Sequence, residues 1–443
     1  MSPDLTDEDP SGDYDRLETP LEGIPAVVDT AEGLQQLITA LGAGEGPVAV
    51  DAERASGYRY GQRAYLIQLR REGTGTWLVD PIAFDDLTAV DGALAGTEWV
   101  LHAATQDIPC LAEVGMRPRA LFDTELGARL AGLPRVGLSA VLEYYLGVTL
   151  AKEHSAVDWS TRPLPEPWLR YAALDVELLV ELRDRMERDL REQGKLDWAE
   201  QEFAALCDFT GPPGPDEPDA WRRTTGAQRL RRPRSLAALR ELWTTRDALA
   251  RERDVPPGRV LPDGTLIDLA HRMPTQAAGL ASGRKESSRT RQRRAEQGLL
   301  RHQSAWLGAL KAAAALPDDA LPEPPRRGDT PPPPRAWAER EPAAAERLTQ
   351  VRADLSDLSE RLEIPVENLM TPDVVRRILW KPPAEMGEES GDGDTSGSGY
   401  GSRHGDGDAA DAVDRAAAEL GARPWQRQLV VPILLAALEA HPS

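Results

Sequence analysis

The segment Pro47-Val-Ala-Val-Asp-Ala-Glu53 constrains the fold more than any other stretch of this chain. Val48-Ala-Val50 is a short, uninterrupted apolar run of the kind found in a strand covered on both faces. Two acids follow at alternate positions, so Asp51 and Glu53 share one face of that strand. Burying two carboxylates side by side is costly unless a cation neutralises them. The run therefore predicts a sheet whose strand end presents a paired acid site, a common position for ligands in sheets covered by helices. An exposed strand end is the plainer alternative when the pair is taken alone.

The surrounding pattern supports such a sheet. Ala64–Leu69 and Thr76–Asp80 are strand-like and flank the turn Glu72-Gly-Thr-Gly75, which predicts a hairpin. Glu98–Leu101 reads as a fourth strand. Helical periodicity then takes over at 105–114, 124–132 and 137–147, and in one long stretch over 166–194. Strands first, then strands among helices, predict a mixed sheet with helices packed on it.

Composition divides the rest. Residues 1–22 carry eight acids and one Arg and read as a disordered acidic tail. The α/β domain spans 23–210 and a linker spans 211–224. Residues 225–315 read as helical, with loops at Pro256-Pro257-Gly258 and Pro262-Asp263-Gly264. A proline-rich linker covers 316–335. A second helical domain runs over 336–443, with an Asp/Gly/Ser-rich insert at 384–412 expected to be disordered. The two helical units are related: a shift of 109 residues superposes Leu249 on Leu358, Val255 on Ile364, Pro256 on Pro365, Leu266 on Val375 and Pro274 on Pro383.

Two cysteines far apart, Cys110 and Cys207, exclude a disulfide scaffold and a cysteine-rich zinc module. The N-terminus lacks the apolar run of a signal peptide. The longest apolar stretch, Leu429–Leu438, is too short to span a bilayer and contains Pro432. A cytoplasmic protein is expected. Asp392-Gly-Asp-Thr-Ser-Gly397 imitates a calcium loop, but the twelfth position, which needs an acid, is Arg403. The net charge is -21, yet residues 222–301 hold 19 basic and 8 acidic residues, a local balance of +11. A basic stretch in an acidic chain is the pattern of a confined phosphate-binding surface. A solvated helix face is the plainer reading.

Further acids complete a constellation. Asp107 follows the fourth strand, and Tyr171 and Asp175 stand four residues apart on one helix face. Each alone reads as an ordinary surface or first-turn residue. Together, Asp-x-Glu, an Asp about 55 residues on and Tyr-x-x-x-Asp about 65 later resemble the DEDD exonucleases. The stretches His102-Ala-Ala-Thr-Gln-Asp107, Phe122-Asp-Thr124, Gly137-Leu-Ser-Ala140, Tyr145-Leu-Gly147 and Asp158-Trp-Ser-Thr-Arg-Pro-Leu164 are similar to the ribonuclease D family. The repeat resembles HRDC domains. With Arg170 and Tyr171 at the diagnostic positions, the chain looks like the tyrosine subtype. Ala52 departs from the Thr of many relatives but points to the other face.

That resemblance implies a ribonuclease H-like α/β domain followed by two all-α HRDC-like domains. It implies a 3′-5′ exoribonuclease acting on tRNA precursors and other small RNAs. A clustered set of carboxylates without His or Cys suits Mg²⁺ or Mn²⁺, and the family implies two such ions. Asp51 is then expected to bridge both ions, Glu53 and Asp175 to complete the nucleophile-side ion, and Asp107 to serve the leaving-group ion. Tyr171 is expected to orient the attacking water. His102, Lys152, Trp159, Arg162, Arg289, Arg291, Arg293 and Arg294 are candidates for RNA contacts, each with a structural alternative. A DNA 3′-5′ exonuclease and a non-catalytic nucleic-acid adaptor remain the alternative functions.

Overall fold

The hairpin predicted around Gly73 and Gly75 sits in the middle of the sheet. In the computed structural model, which describes residues 14–150, 157–212, 214–281, 288–324, 331–383 and 405–442, the first domain begins with β1 (Asp15–Leu17), β2 (Val27–Val28) and α1 (Ala31–Ala43). Then come β3 (Glu45–Arg54), β4 (Ala64–Glu72), β5 (Gly75–Val79), α2 (Thr88–Ala93), β6 (Trp99–Leu101) and α3 (Ile108–Glu113). The domain closes with β7 (Leu121–Asp123), α4 (Thr124–Leu130), α5 (Leu138–Leu146), β8 (Val148–Leu150), α6 (Glu166–Glu177), α7 (Leu179–Glu192) and α8 (Leu196–Cys207). A six-stranded sheet has the order β2-β5-β4-β3-β6-β7. The β3–β4 and β4–β5 pairs are antiparallel, whereas β2–β5, β3–β6 and β6–β7 are parallel. This is the expected mixed sheet. The apolar run Val48-Ala-Val50 is fully buried at its centre.

Several expectations need correction. The acidic tail does not extend to residue 22: Asp15–Leu17 pairs in parallel with Val148–Leu150, because backbone hydrogen bonds hold a strand whatever its side-chain charge. The long helix over 166–194 breaks at Leu178, where φ is -114° and ψ 5°. The break lets α6 cover β3, β4 and β5 while α7 packs on β3 and β6.

The first helical unit comprises α9 (Pro233–Glu252), α10 (Pro257–Val260), α11 (Asp263–Arg272), α12 (Arg289–Arg301) and α13 (Gln303–Ala315). The second comprises α14 (Trp337–Arg340), α15 (Pro342–Leu362), α16 (Val366–Leu369), α17 (Pro372–Trp380), α18 (Gly405–Glu419) and α19 (Pro424–Ala440). The prolines read as loops at 256–258 and 262–264 are helix starts instead. Pro257 opens α10 and Pro262 precedes α11, since the fixed proline φ suits a first helical turn. The expected linker 211–224 ends early, as Ala220–Arg223 forms a helical turn and Trp221 is buried in the first unit's core. The expected insert 384–412 is also too long, because 405–412 lie in α18; residues 384–404 fall outside the described residues.

The repeat read from the sequence is present in the backbone. The helices α9, α10 and α11 start 109 residues before α15, α16 and α17. The first unit has its own core, built around Leu239, Leu242, Leu266 and Trp306. The second shares one continuous core with the α/β domain, which includes Trp337, Val351, Trp425 and Val430. Trp198 of α8 stacks on Trp425 of α19 at 5.1 Å, and Lys195 donates to the carbonyls of Leu130 and Leu362. Among the described residues, no helix is long and apolar enough to cross a membrane.

Candidate active site

β3 carries Asp51 and Glu53 on the sheet face covered by α6, which brings Tyr171 and Asp175 over them. Carboxylate oxygens of Asp51, Glu53 and Asp175 all lie within 4.8 Å of one another. Asp107 is outside that trio but lines the same cleft, together with Tyr171, His102, Arg54, Gln106 and Tyr58. The cleft has a volume of about 430 Å³.

The route by which Asp107 arrives was not legible in the sequence. It occupies the N-cap position of α3 yet makes no side-chain cap hydrogen bond, which leaves its carboxylate to the cleft. The turn before it is held by Asp123 at the end of β7. That buried carboxylate accepts from four backbone N–H groups, those of Ala103, Ala104, Glu125 and Leu126, at 2.8–3.2 Å. Ala103 is thereby fixed in a left-handed conformation, φ 62°. In the sequence Asp123 shows only as an acid at a strand end directly before a helix, in Phe122-Asp-Thr124.

The electrostatics are those that a bound cation would relieve. Burial, then the negative charges of Asp51, Asp175 and Asp107, hold the Glu53 pKa well above the usual carboxylate value. Asp107 is raised well above it by burial and then Asp51, and Asp175 by the same two causes. Asp51 is raised by burial, against its hydrogen bond from the Ala52 N–H and the charge of Arg54. Burial and the neighbouring acids also raise the Tyr171 phenol, so it stays protonated. Four oxygen-bearing acids that oppose one another's ionisation fit a hard divalent cation.

The other candidates scatter. His102 lines the cleft, with Nδ1 2.9 Å from Thr124 Oγ1, and burial lowers its pKa to about 4, so it is an uncharged imidazole at neutral pH. Trp159 is not available to stack on a base. It is 1% exposed, and its ring packs between Trp168 and Tyr171 because the strand-end core closes over it. Arg162 is no phosphate contact either. All five of its N–H donors are used, on both Asp80 oxygens and on the carbonyls of Trp159, Thr161 and Tyr65. Lys152 lies outside the described residues.

A second cleft of about 980 Å³ adjoins the first, with Gly57 lining both. Its wall includes Arg229, Arg259, Arg291 and Arg294. Arg289 and Arg293 are exposed on α12 but do not line it. Arg259, which the sequence reading missed, sits over the Tyr58 ring at 5.1 Å, at the join between the clefts. The first helical unit is held there by Asp254, which accepts from Tyr60 N–H at 3.1 Å and pairs with Arg59 at 3.2 Å, and by Asp247, which accepts from the Tyr60 hydroxyl at 2.8 Å.

Comparison with known proteins decides the family. Residues 25–191 match a 3′-5′ exonuclease family model, residues 235–299 an HRDC domain, and residues 330–438 a 3′ to 5′ exonuclease C-terminal domain. Ribonuclease D of Acidiphilium cryptum is 30% identical over 78% of this chain and 85% of its own length. The chain belongs to the ribonuclease D family. Ribonuclease D of Escherichia coli is 32% identical over 62% of this chain and 72% of its own length. A Bifidobacterium adolescentis protein of known structure has a TM-score of 0.78 at 36% identity, covering 96% of this chain and all of its own. The structure of Escherichia coli RNase D, described as an exoribonuclease involved in structured RNA processing, has a TM-score of 0.68 at 26% identity, over 94% and 99% of the two chains. The DEDD motif and tyrosine subtype read from the sequence are thus placed in a ribonuclease D fold with a helical HRDC region.

Proposed function

We propose that this ribonuclease D family member shortens tRNA precursors and other small structured RNAs from their 3′ ends, releasing nucleoside 5′-monophosphates. The observation that carries this reading is the convergence of Asp51, Glu53 and Asp175 within 4.8 Å, with Tyr171 and Asp107 in the same cleft. Two bound divalent cations, Mg²⁺ or Mn²⁺, would make water a better nucleophile and offset charge on the leaving oxygen. Asp51, Glu53 and Asp175 would hold the nucleophile-side ion, and Asp51 and Asp107 would serve the other. Tyr171 positions the attacking water by hydrogen bonding; its raised pKa keeps the phenol protonated at neutral pH, so it does not serve as the base.

The 3′ end enters the acidic cleft, and the chain upstream needs a positive surface. The adjoining groove of Arg229, Arg259, Arg291 and Arg294 supports that role, as its arginines lie one shared wall away from the acids. RNA is favoured over DNA by the ribonuclease D relatives.

The test is gel analysis of a 3′-extended tRNA incubated with Mg²⁺, Mn²⁺ or EDTA, beside matched RNA and DNA oligonucleotides. Stepwise shortening of RNA that stops in EDTA, with mononucleotide 5′-phosphates released, is the expected result. Preferential digestion of DNA would favour the DNA exonuclease reading, and no digestion with either metal would favour an adaptor.

A further inference from the structure

Gln68 has a side chain that the fold alone does not explain. It lies on β4, is 0% exposed, and neither its amide nitrogen nor its amide oxygen has a hydrogen-bond partner in the structure. Its neighbours along that face, Leu66 and Leu78, pack with Ala172 and Ala173 of α6 in an apolar layer. A leucine or methionine would fill such a place without burying an unpaired amide, which is among the costlier things a core can hold.

The register supplies the reason. Asp51 and Gln68 are direct cross-strand partners in the antiparallel β3–β4 pair. Directly opposed residues place their side chains on the same face, with Cβ atoms about 4.5–5.5 Å apart. Asp51 is otherwise surrounded by groups of its own sign, Glu53, Asp175 and Asp107. The influences that favour its charge are the Ala52 N–H and Arg54. Gln68 supplies a buried side-chain donor on the strand directly beside Asp51, and it does not line the cleft.

We propose that Gln68 is a positioning residue for the cation site: its amide N–H donates to the buried side of the Asp51 carboxylate when Asp51 turns its other lone pairs to a divalent cation. This rests on the reading of Asp51, Glu53 and Asp175 as cation ligands. Partners of this kind fix the ligand's rotamer and hold its charge, and their loss typically costs about 10–100-fold in metal affinity or activity. Leu66 and Leu78, on the same face, offer no donor, so the role falls to Gln68 alone among the three.

The test is Mn²⁺ binding to the full chain by titration calorimetry, with melting temperatures in EDTA, for the wild type and Gln68→Met. The Met side chain keeps the volume and removes the donor. The expected result is Mn²⁺ binding weakened by about 10–100-fold, a melting temperature in EDTA equal to or above that of the wild type, and a fall in kcat with KM for RNA unchanged. If Gln68→Met does not fold, Gln68→Asn, which withdraws the amide by one methylene, is expected to weaken Mn²⁺ binding as well. Wild-type Mn²⁺ affinity in the folded variant would overturn the role of Gln68 while leaving the cation site standing. A wild-type chain that binds no Mn²⁺ would overturn both.

Discussion

Asp254 and Glu363 lie 109 residues apart and share the same left-handed backbone, with φ 47° and 54°. Each closes the first long helix of its repeat, α9 or α15, and each meets the α/β domain. Asp254 binds Tyr60 and Arg59 beside the active-site cleft. Glu363 packs against Gly132, and the carbonyl of the preceding Leu362 accepts from Lys195. One duplicated turn is thus used twice to dock a helical unit, at two different surfaces. Only the first of these docks borders the arginine groove.

The second dock is sensitive at Gly132. Its φ is +86°, and an added Cβ would stand 2.8 Å from the Glu363 Cβ and 2.9 Å from its carbonyl oxygen. Gly132→Ala therefore adds a clash to backbone strain of about 1–3 kcal/mol. Gly147→Ala, at φ +68° with nothing within 4 Å, isolates the strain. Urea unfolding is expected to show a larger loss for Gly132→Ala than for Gly147→Ala.

Asp51→Asn and Asp175→Asn each remove one charge from the cation site. Cleavage of a 3′-extended RNA is expected to fall to background in both, with far-ultraviolet circular dichroism unchanged. Near-wild-type turnover in either would exclude that residue as a ligand.

Tyr171→Phe keeps the ring packed on Trp159 and removes only the hydroxyl. A group that positions or polarises the nucleophile contributes about 10²–10⁴-fold. The expected result is a kcat lower by that order, with RNA affinity unchanged; a loss confined to binding would make Tyr171 a contact residue instead.

The metal-free site makes stability depend on pH. Glu53, Asp107 and Asp175 all have folded pKa values raised above the ordinary 4.5 and 3.8. The unfolded chain gives up these protons first as pH rises. Their contribution is therefore fully present below about pH 4 and is lost as pH climbs through the raised values. In EDTA the melting temperature is expected to fall over that window, and less steeply for Asp51→Asn. Added Mg²⁺ is expected to restore stability at neutral pH.

Reversing Arg229, Arg259, Arg291 and Arg294 to Glu is expected to weaken RNA binding and flatten its salt dependence by about 0.7 log units per lost contact. Turnover of a very short oligonucleotide, which reaches only the acidic cleft, should change much less. An equal loss on long and short substrates would show that the groove is not the RNA platform. Reversing Arg289 and Arg293, which do not line the groove, should have a smaller effect.

Much of this protein was set by local pattern. Val48-Ala-Val50 followed by Asp51 and Glu53 specified a buried strand with two acids on one face, since strand side chains alternate strictly. The i, i+4 spacing placed Tyr171 and Asp175 on one side of a helix. The prolines and apolar residues of the repeat marked a 109-residue offset that the starts of α9, α10 and α11 keep with those of α15, α16 and α17. The tertiary structure decided which of the polar residues near these motifs are free to meet a ligand. Arg162 and Trp159 looked available in the sequence, yet one has all its donors occupied and the other is buried. Gln68, Asp123 and Arg259 looked ordinary and lie at the cleft or directly behind it. The α/β domain and the second helical unit share a core that no linker composition foretold, because burial is a sum over distant neighbours. Pattern determines which face a side chain takes; only packing determines what it finds there.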